Sequence, residues 1–169
     1  MSRRLEDLTP AARAAALRAL ARLKADGIQV VVSYTLRTAL EQYALWCQGR
    51  KTLAETNAAR AAATAAGAEM PPIREYMGRD KKTHSDNDYT VTNCDGRRVS
   101  EGGTGRSPHQ TGRALDVVPD LDPGEAQLPG WPPESDPRWA VIAAAFKAEG
   151  FEWGGDWEDF PDYPHYQLA

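Results

Sequence analysis

Strand-forming sequence is confined to a few short segments that lie far apart along the chain. Residues 28–34 are rich in β-branched side chains and predict a buried strand, residues 113–118 predict a second, and residues 166–168 predict a short last one. Segments this short can build only a small sheet, and helical sequence separates them. The pattern predicts an α+β fold in which a small, mainly antiparallel sheet is flanked by helices.

Four segments have helical character. Thr9-Pro10 predicts an N-cap with proline at the first helical position, followed by a helix over residues 10–25 whose buried stripe contains Leu17, Leu20 and Leu23. Further helices are predicted over residues 38–48, over the alanine-rich residues 53–66, and from the Asp136-Pro137 cap to residue 149.

The remaining segments are polar and rich in turn residues. Residues 71–105 predict a long loop with one short strand at residues 89–92. Residues 151–153, Phe-Glu-Trp, are predicted to belong to an acidic aromatic loop that precedes the last strand.

Length and charge exclude several classes of protein. A chain of 169 residues predicts one domain over residues 1–169. The net charge of -4 and the scattered basic residues argue against nucleic-acid binding, and no apolar run of about 18 residues predicts membrane insertion. The N-terminus lacks the pattern of a secretory signal, so synthesis in the cytoplasm with reduced Cys47 and Cys94 is expected. The sequence gives no sign of an oligomer, so a monomer is expected.

Candidate chemistry is concentrated in residues 107–116 and 162–165. His109 and Asp116 lie seven positions apart, and His165 follows Asp162 by three. A catalytic zinc site needs three protein ligands, and His109, Asp116 and His165 supply a suitable set. Asp162 is then the candidate general base that takes a proton from the attacking water. A hydrogen-bonded structural His/Asp pair fits the same spacing, so the spacing leaves both interpretations open.

Three blocks of sequence resemble a known family. The pattern Ser-x-His-x-x-Gly-x-Ala-x-Asp at residues 107–116 resembles the zinc-ligand motif of the D-alanyl-D-alanine carboxypeptidase and L-alanyl-D-glutamate endopeptidase family. Glu-Trp-Gly-Gly-Asp-Trp at residues 152–157, followed by Asp162-x-x-His165, resembles the last strand-and-loop segment of that family. Arg37-Thr38 with Gln42, Leu45 and Gly49-Arg50 is similar to a segment of the phage-type members.

The resemblance implies a hedgehog/D,D-peptidase-like fold, a Zn²⁺ cofactor and peptidoglycan stem peptides as substrate. It also implies that Arg37 steadies the substrate carbonyl and its developing oxyanion, and that Ser107 lies near the substrate or the first ligand. A surface arginine at a helix start and a Ser-Pro turn are the alternatives for these two positions. His84 matches no motif position and is expected to be exposed.

Three functions follow from the resemblance. The first is an endopeptidase that cuts between L-alanine and D-glutamate, as in phage-type endolysins that are made in the cytoplasm and reach the cell wall during lysis. The second is a carboxypeptidase or dipeptidase that acts on D-alanyl-D-alanine. The third is a zinc-stabilised wall-binding module without turnover, which the intact Asp162 disfavours.

Overall fold

A computed structural model describes residues 2–47, 51–70, 75–77, 83–85, 107–121, 132–158 and 161–169. The described chain divides into two compact units. The sheet unit comprises Ser2–Leu36 and Pro108–Ala169, and the inserted unit comprises Arg37–Ser107. This division does not test the prediction that residues 1–169 form one catalytic domain, which stays a prediction.

The described residues form four α-helices and six strands. The helices are α1 (Pro10–Ala25), α2 (Ala39–Cys47), α3 (Leu53–Ala65) and α4 (Arg138–Lys147). The strands are β1 (Val30–Tyr34), β2 (Glu75–Met77), β3 (Thr83–Ser85), β4 (Ala114–Pro119), β5 (Phe151–Trp153) and β6 (His165–Leu168). Within these described residues, no helix combines the length and the apolar character that crossing a bilayer requires.

The sheet unit is built on one four-stranded sheet in the order β1-β4-β6-β5, and every neighbouring pair is antiparallel. Helices α1 and α4 contact each other, and α4 also contacts β4 and β5. The predicted α+β fold with a small antiparallel sheet is therefore confirmed.

The core of the sheet unit lies between one face of the sheet and the helices α1 and α4. Phe146 of α4 packs against Tyr166 of β6 and Phe151 of β5, with ring centroids 4.5 and 5.3 Å apart. Leu115 and Val117 of the central strand β4 point into the same cluster and are fully buried. The core thus contains residues of three strands, and its packing sets how those strands align.

Helix α1 has the predicted boundaries, but its buried stripe differs from the prediction. Leu23 is fully buried and Leu20 is partly buried against the core, whereas Leu17 is 48% exposed, so the prediction for Leu17 is wrong. The centre of the buried face is formed by alanines, which let the helix approach the core closely: Ala12, Ala15, Ala16 and Ala19. At 100° per residue, Leu17 lies about 140° around the helix from the first of these alanines and faces solvent.

The inserted unit contains α2, α3 and a hairpin of β2 and β3. Its small core includes Ala44, Cys47, Ala59 and Ala63. The predicted helix over residues 53–66 is confirmed, and a capping box at Thr52 begins it. The buried Cys47 is a free thiol, while Cys94 lies outside the described residues.

Tertiary pairing overturned two of the loop predictions. Residues 151–153 form β5 at the edge of the sheet, so the loop prediction there is wrong. The loop predicted over residues 71–105 is also wrong at β2 and β3, which pair with each other. Each of these strands has three residues, too few to show an alternating pattern in the sequence. The strand predicted at residues 89–92 lies outside the described residues.

Gly112 stands where two backbones approach each other, and its replacement should destabilise the sheet unit. Its φ is +67°, a Cβ there would lie 2.7 Å from the carbonyl oxygen of Asp7, and its own carbonyl accepts a hydrogen bond from the Thr9 N–H at 2.9 Å. We expect Gly112→Ala to lower the free energy of unfolding by about 3 kcal/mol, because backbone strain and a backbone clash add. Denaturant unfolding with a chelator present measures this.

Gly27→Ala is the matched control. Gly27 has a similar φ of +73°, but no heavy atom lies within 4 Å of the added Cβ. Only backbone strain remains at Gly27, so a loss of about 1 kcal/mol is expected. Equal losses for the two variants would contradict the close approach at Gly112.

Candidate metal centre

Strand alternation places two of the predicted ligands on the sheet face opposite the core. Successive side chains of a strand point to opposite faces. Leu115 and Val117 of β4 enter the core, so Asp116 points to the other face. Tyr166 of β6 enters the core, so His165 points away from it. Asp116 and His165 are direct partners in the antiparallel register, and their side chains therefore meet.

The third predicted ligand comes from a short 3₁₀ turn just before β4. This turn, Pro108–Thr111, holds His109 with no exposed surface. The left-handed backbone of Gly112 then redirects the chain into β4. The turn thereby places His109 next to Asp116, which follows it by seven residues.

The three side chains meet in a compact triangle of ligand atoms. His109 Nε2 lies 3.1 Å from Asp116 Oδ1 and 3.2 Å from His165 Nδ1, and His165 Nδ1 lies 3.3 Å from Asp116 Oδ1. All three residues are buried, with exposed fractions of 0% for His109, 6% for Asp116 and 5% for His165. This group can hold a metal ion.

The outer nitrogens of both imidazoles have acceptors that fix the tautomers. The Nδ1–H of His109 donates to the carbonyl oxygen of Thr35 at 2.6 Å, because a carbonyl can only accept. His165 Nε2 lies 3.0 Å from Gln167 Oε1, and the Gln167 amide donates to Glu152 Oε2 at 2.8 Å. A neutral imidazole that donates from its outer nitrogen presents a lone pair at the inner one.

These outer partners of the two histidines were not predicted from the sequence. The carbonyl of Thr35 carries no signal, because every residue has one. Gln167, two positions after His165 in a predicted strand, was recognisable as a neighbour on the same face. Glu152 was recognisable only with β5 assigned as a strand.

Asp162 lies in the turn that leads into β6, close to a glycine of the preceding 3₁₀ turn. Its N–H donates to the Gly154 carbonyl at 2.9 Å, and its own carbonyl accepts from the His165 N–H at 3.1 Å. A Cβ at Gly154 would lie 2.5 Å from the Asp162 carbonyl oxygen and 3.1 Å from His165 Cβ. Glycine at position 154 therefore permits the turn that holds Asp162 beside His165.

The charges around His165 favour its protonated form when no metal is bound. Burial alone would lower the pKa of His165, but the hydrogen bond and negative charge of Asp116 raise it, as do the charge of Asp162 and the contact with Gln167. The net effect raises the pKa above its ordinary value. The carboxylate of Asp162 thus acts electrostatically on this imidazole.

The C-terminal part of the chain matches a known family. Residues 101–168 match the family described as D-alanyl-D-alanine carboxypeptidase. The family resemblance predicted from the sequence is confirmed. The matched segment contains His109, Asp116, Asp162 and His165.

Two curated proteins are similar to part of this chain. The peptidoglycan L-alanyl-D-glutamate endopeptidase CwlK of Bacillus subtilis is 36% identical over 70 residues, which cover 38% of this chain and 40% of that protein. The L-alanyl-D-glutamate peptidase of Listeria phage A118 is 39% identical over 65 residues, covering 38% of this chain and 22% of that protein. The chain thus spans less than half the length of either relative.

A solved structure is also similar, at a lower level. The crystal structure of the L-Ala D-Glu endopeptidase ChiX of Serratia marcescens aligns with a TM-score of 0.48 and 21% identity, covering 98% of this chain and 83% of that one. This similarity is too low to establish a common fold.

The other family positions predicted from the sequence lie in the inserted unit. Arg37 precedes α2 and Ser107 ends the unit, and both are half-buried. Their roles toward substrate stay predictions. His84 lies in β3, and its exposure also stays a prediction.

The two tryptophans of the Glu-Trp-Gly-Gly-Asp-Trp segment, residues 152–157, have different surroundings. Trp153 donates its ring N–H to the Tyr163 carbonyl at 2.7 Å and packs edge-on against the Tyr163 ring. Trp157 is 38% exposed, with its ring centroid 5.2 Å from that of His165. Trp153 thus packs against Tyr163, whereas Trp157 lies beside the ligand cluster.

Protons should compete with metal for the three-residue group. A metal ion binds neutral imidazole, so every site with protonated His165 must lose a proton first. Because the pKa of His165 is raised, we expect the affinity for Zn²⁺ to fall as the pH is lowered. The fall should begin at a pH above about 6.5, the ordinary histidine pKa. Competition titrations with a chromophoric chelator between about pH 8 and pH 5.5 measure this. An affinity that is constant across this range would contradict the prediction.

Proposed function

We propose that the chain is a zinc-dependent peptidase that hydrolyses peptidoglycan stem peptides, and that its substrate bond joins L-alanine to D-glutamate. The observation that carries this proposal is the triangle of His109 Nε2, Asp116 Oδ1 and His165 Nδ1, with edges of 3.1 to 3.3 Å. The triangle lies in the segment that matches the peptidase family.

The donor set and its dimensions fit zinc. Zinc with nitrogen and oxygen ligands at about 2.0–2.1 Å in tetrahedral geometry holds neighbouring ligand atoms about 3.3 Å apart. The observed edges come within a few tenths of an ångström of that separation. Two imidazole lone pairs and one carboxylate also match the donors that catalytic zinc prefers, and such zinc supplies activation of water near neutral pH.

Asp162 is the proposed general base. It lies outside the ligand triangle, and the hydrogen bond from the Asp162 N–H to Gly154 holds its turn in place. Its carboxylate takes a proton as the oxygen of the attacking water forms a bond to the peptide carbonyl carbon. It then returns that proton to the amine nitrogen as the C–N bond breaks.

Two further roles are proposed from the family motif. Arg37 steadies the substrate carbonyl as negative charge develops on its oxygen, a role suited to a fixed positive charge. Ser107, at the start of the Ser-x-His motif, contacts the substrate. These two residues complete the proposed set of catalytic and substrate-binding groups.

The choice of substrate bond follows from the similar proteins. CwlK and the peptidase of phage A118 are both named for the L-alanyl-D-glutamate bond, which favours the endopeptidase. The description of the matching family instead favours a carboxypeptidase that acts on D-alanyl-D-alanine. Both reactions need the same water, ligands and base, so the bond is decided by how the substrate is held.

We further propose that the protein acts as a monomeric endolysin of the phage type, made in the cytoplasm and reaching the wall during lysis. The similarity to the peptidase of phage A118 supports this. A zinc-stabilised wall-binding module is disfavoured, because binding alone would not need a carboxylate beside the ligand triangle.

Replacing Asp162 should separate metal binding from catalysis. We expect Asp162→Asn to retain stoichiometric zinc and to lose about 10²–10⁴-fold in kcat, because the variant keeps the size of the side chain but removes the base. In contrast, His109→Ala should lose both zinc and activity. Metal analysis and muropeptide hydrolysis on the same samples measure these effects.

Glu158→Gln serves as the control for Asp162→Asn. It removes an exposed carboxylate from the same part of the chain and should leave both zinc content and kcat unchanged. Full activity in Asp162→Asn would show that another group is the base.

Mass spectrometry of digested muropeptides should identify the bond. Newly freed L-alanine carboxyl ends and D-glutamate amino ends are expected, and a chelator should abolish their formation until zinc is restored. Loss of only a terminal D-alanine would establish the carboxypeptidase instead. Products that form equally well with the chelator present would contradict the metallopeptidase mechanism.

A further inference from the structure

A chain of two hydrogen bonds links His165 to the edge strand of the sheet. Gln167 is two residues after His165 on β6, and both side chains point to the face opposite the core. Gln167 is also the register partner of Glu152 on β5. The distances are 3.0 Å from His165 Nε2 to Gln167 Oε1 and 2.8 Å from Gln167 Nε2 to Glu152 Oε2.

The direction of these bonds is set at the carboxylate. An ionised Glu152 can only accept, so the Gln167 amide must present its NH₂ group to Glu152. The amide oxygen of Gln167 then faces His165 and can only accept a proton from Nε2. With its single hydrogen on Nε2, a neutral His165 directs the lone pair of Nδ1 toward Asp116 and His109.

The two histidines of the triangle differ in how they are held. His109 donates to the backbone carbonyl of Thr35, which remains whatever side chain stands at position 35. The orientation of His165 instead depends on the side chains of Gln167 and Glu152, and Glu152 is exposed. His165 is therefore the ligand whose orientation substitutions can alter.

We infer that Gln167, oriented by Glu152, is the positioning residue that holds His165 with Nδ1 directed at the metal. This inference rests on the proposed zinc site and adds to it two residues that lie outside the ligand triangle. Such outer partners typically change metal affinity by about 10- to 100-fold. Because this pair is partly open to solvent, the lower end of that range is expected.

The test uses Zn²⁺ and Co²⁺ as probes on the full chain. We expect Gln167→Ala to weaken Zn²⁺ affinity about tenfold in a chelator competition. The Co²⁺ absorption bands, which report the ligand geometry, should also change. Glu152→Gln should have a smaller effect, because two facing amides can still adopt the original orientation.

Exchanging the two side chains gives a rescue that a general packing role would not predict. In the double variant Glu152→Gln/Gln167→Glu, the new carboxylate at position 167 accepts from His165 Nε2–H and from the amide at position 152. Zn²⁺ affinity within about threefold of the wild type and the wild-type Co²⁺ spectrum are expected, since the donor direction is restored. Glu158→Gln removes one exposed negative charge, as Glu152→Gln does, and should leave affinity unchanged.

Each outcome supports or overturns the inference. Thermal melts of the metal-free variants that match the wild type show that any loss of affinity is not unfolding. Wild-type affinity and spectrum in Gln167→Ala would overturn the positioning role, as would a double variant that binds as weakly as Gln167→Ala. Failure of the wild type to bind Zn²⁺ would overturn the proposed function, and this inference with it.

Discussion

The antiparallel pairing of β4 with β6 is the interaction on which the site depends. It makes Asp116 and His165 direct partners, and the Val117 N–H bond to the Pro164 carbonyl at 2.9 Å extends the contact into the preceding turn. A slip of one residue would turn His165 into the core and Tyr166 out of it. The fully buried Tyr166 opposes that slip, because exposing an aromatic ring costs free energy.

The core and the ligand cluster are therefore two faces of one sheet. Leu115 and Tyr166 pack on one side of the sheet, while Asp116 and His165 meet on the other. Leu115 directly precedes Asp116 in the sequence, and His165 directly precedes Tyr166. The register that buries the apolar pair also brings the polar pair together. The cluster itself is unfavourable to close without a cation, since lone pairs of two imidazoles and a carboxylate converge. Without metal, the raised pKa of His165 favours a proton on this imidazole.

The elements that the sequence predicted well have strong local signals. Helix α1 begins at Pro10 because Thr9 caps it, and both residues can be recognised in the sequence. The spacing of His109 and Asp116 around Gly112 identified them as candidates. The buried stripe of α1 was predicted less well, because leucine outranks alanine in hydrophobicity while the fit of the helix against the core favoured the smaller side chain.

Sequence by itself determined the candidate ligands, the helices and the small antiparallel sheet, since residue type, capping and periodicity act over a few neighbouring positions. Only the tertiary structure decided that β5 is a strand, that Gln167 and Glu152 support His165, and that three ligand atoms lie about 3 Å apart. Those facts depend on pairing between segments as much as 56 residues apart. Such pairing is set by packing on the opposite face of the sheet, which no local pattern encodes.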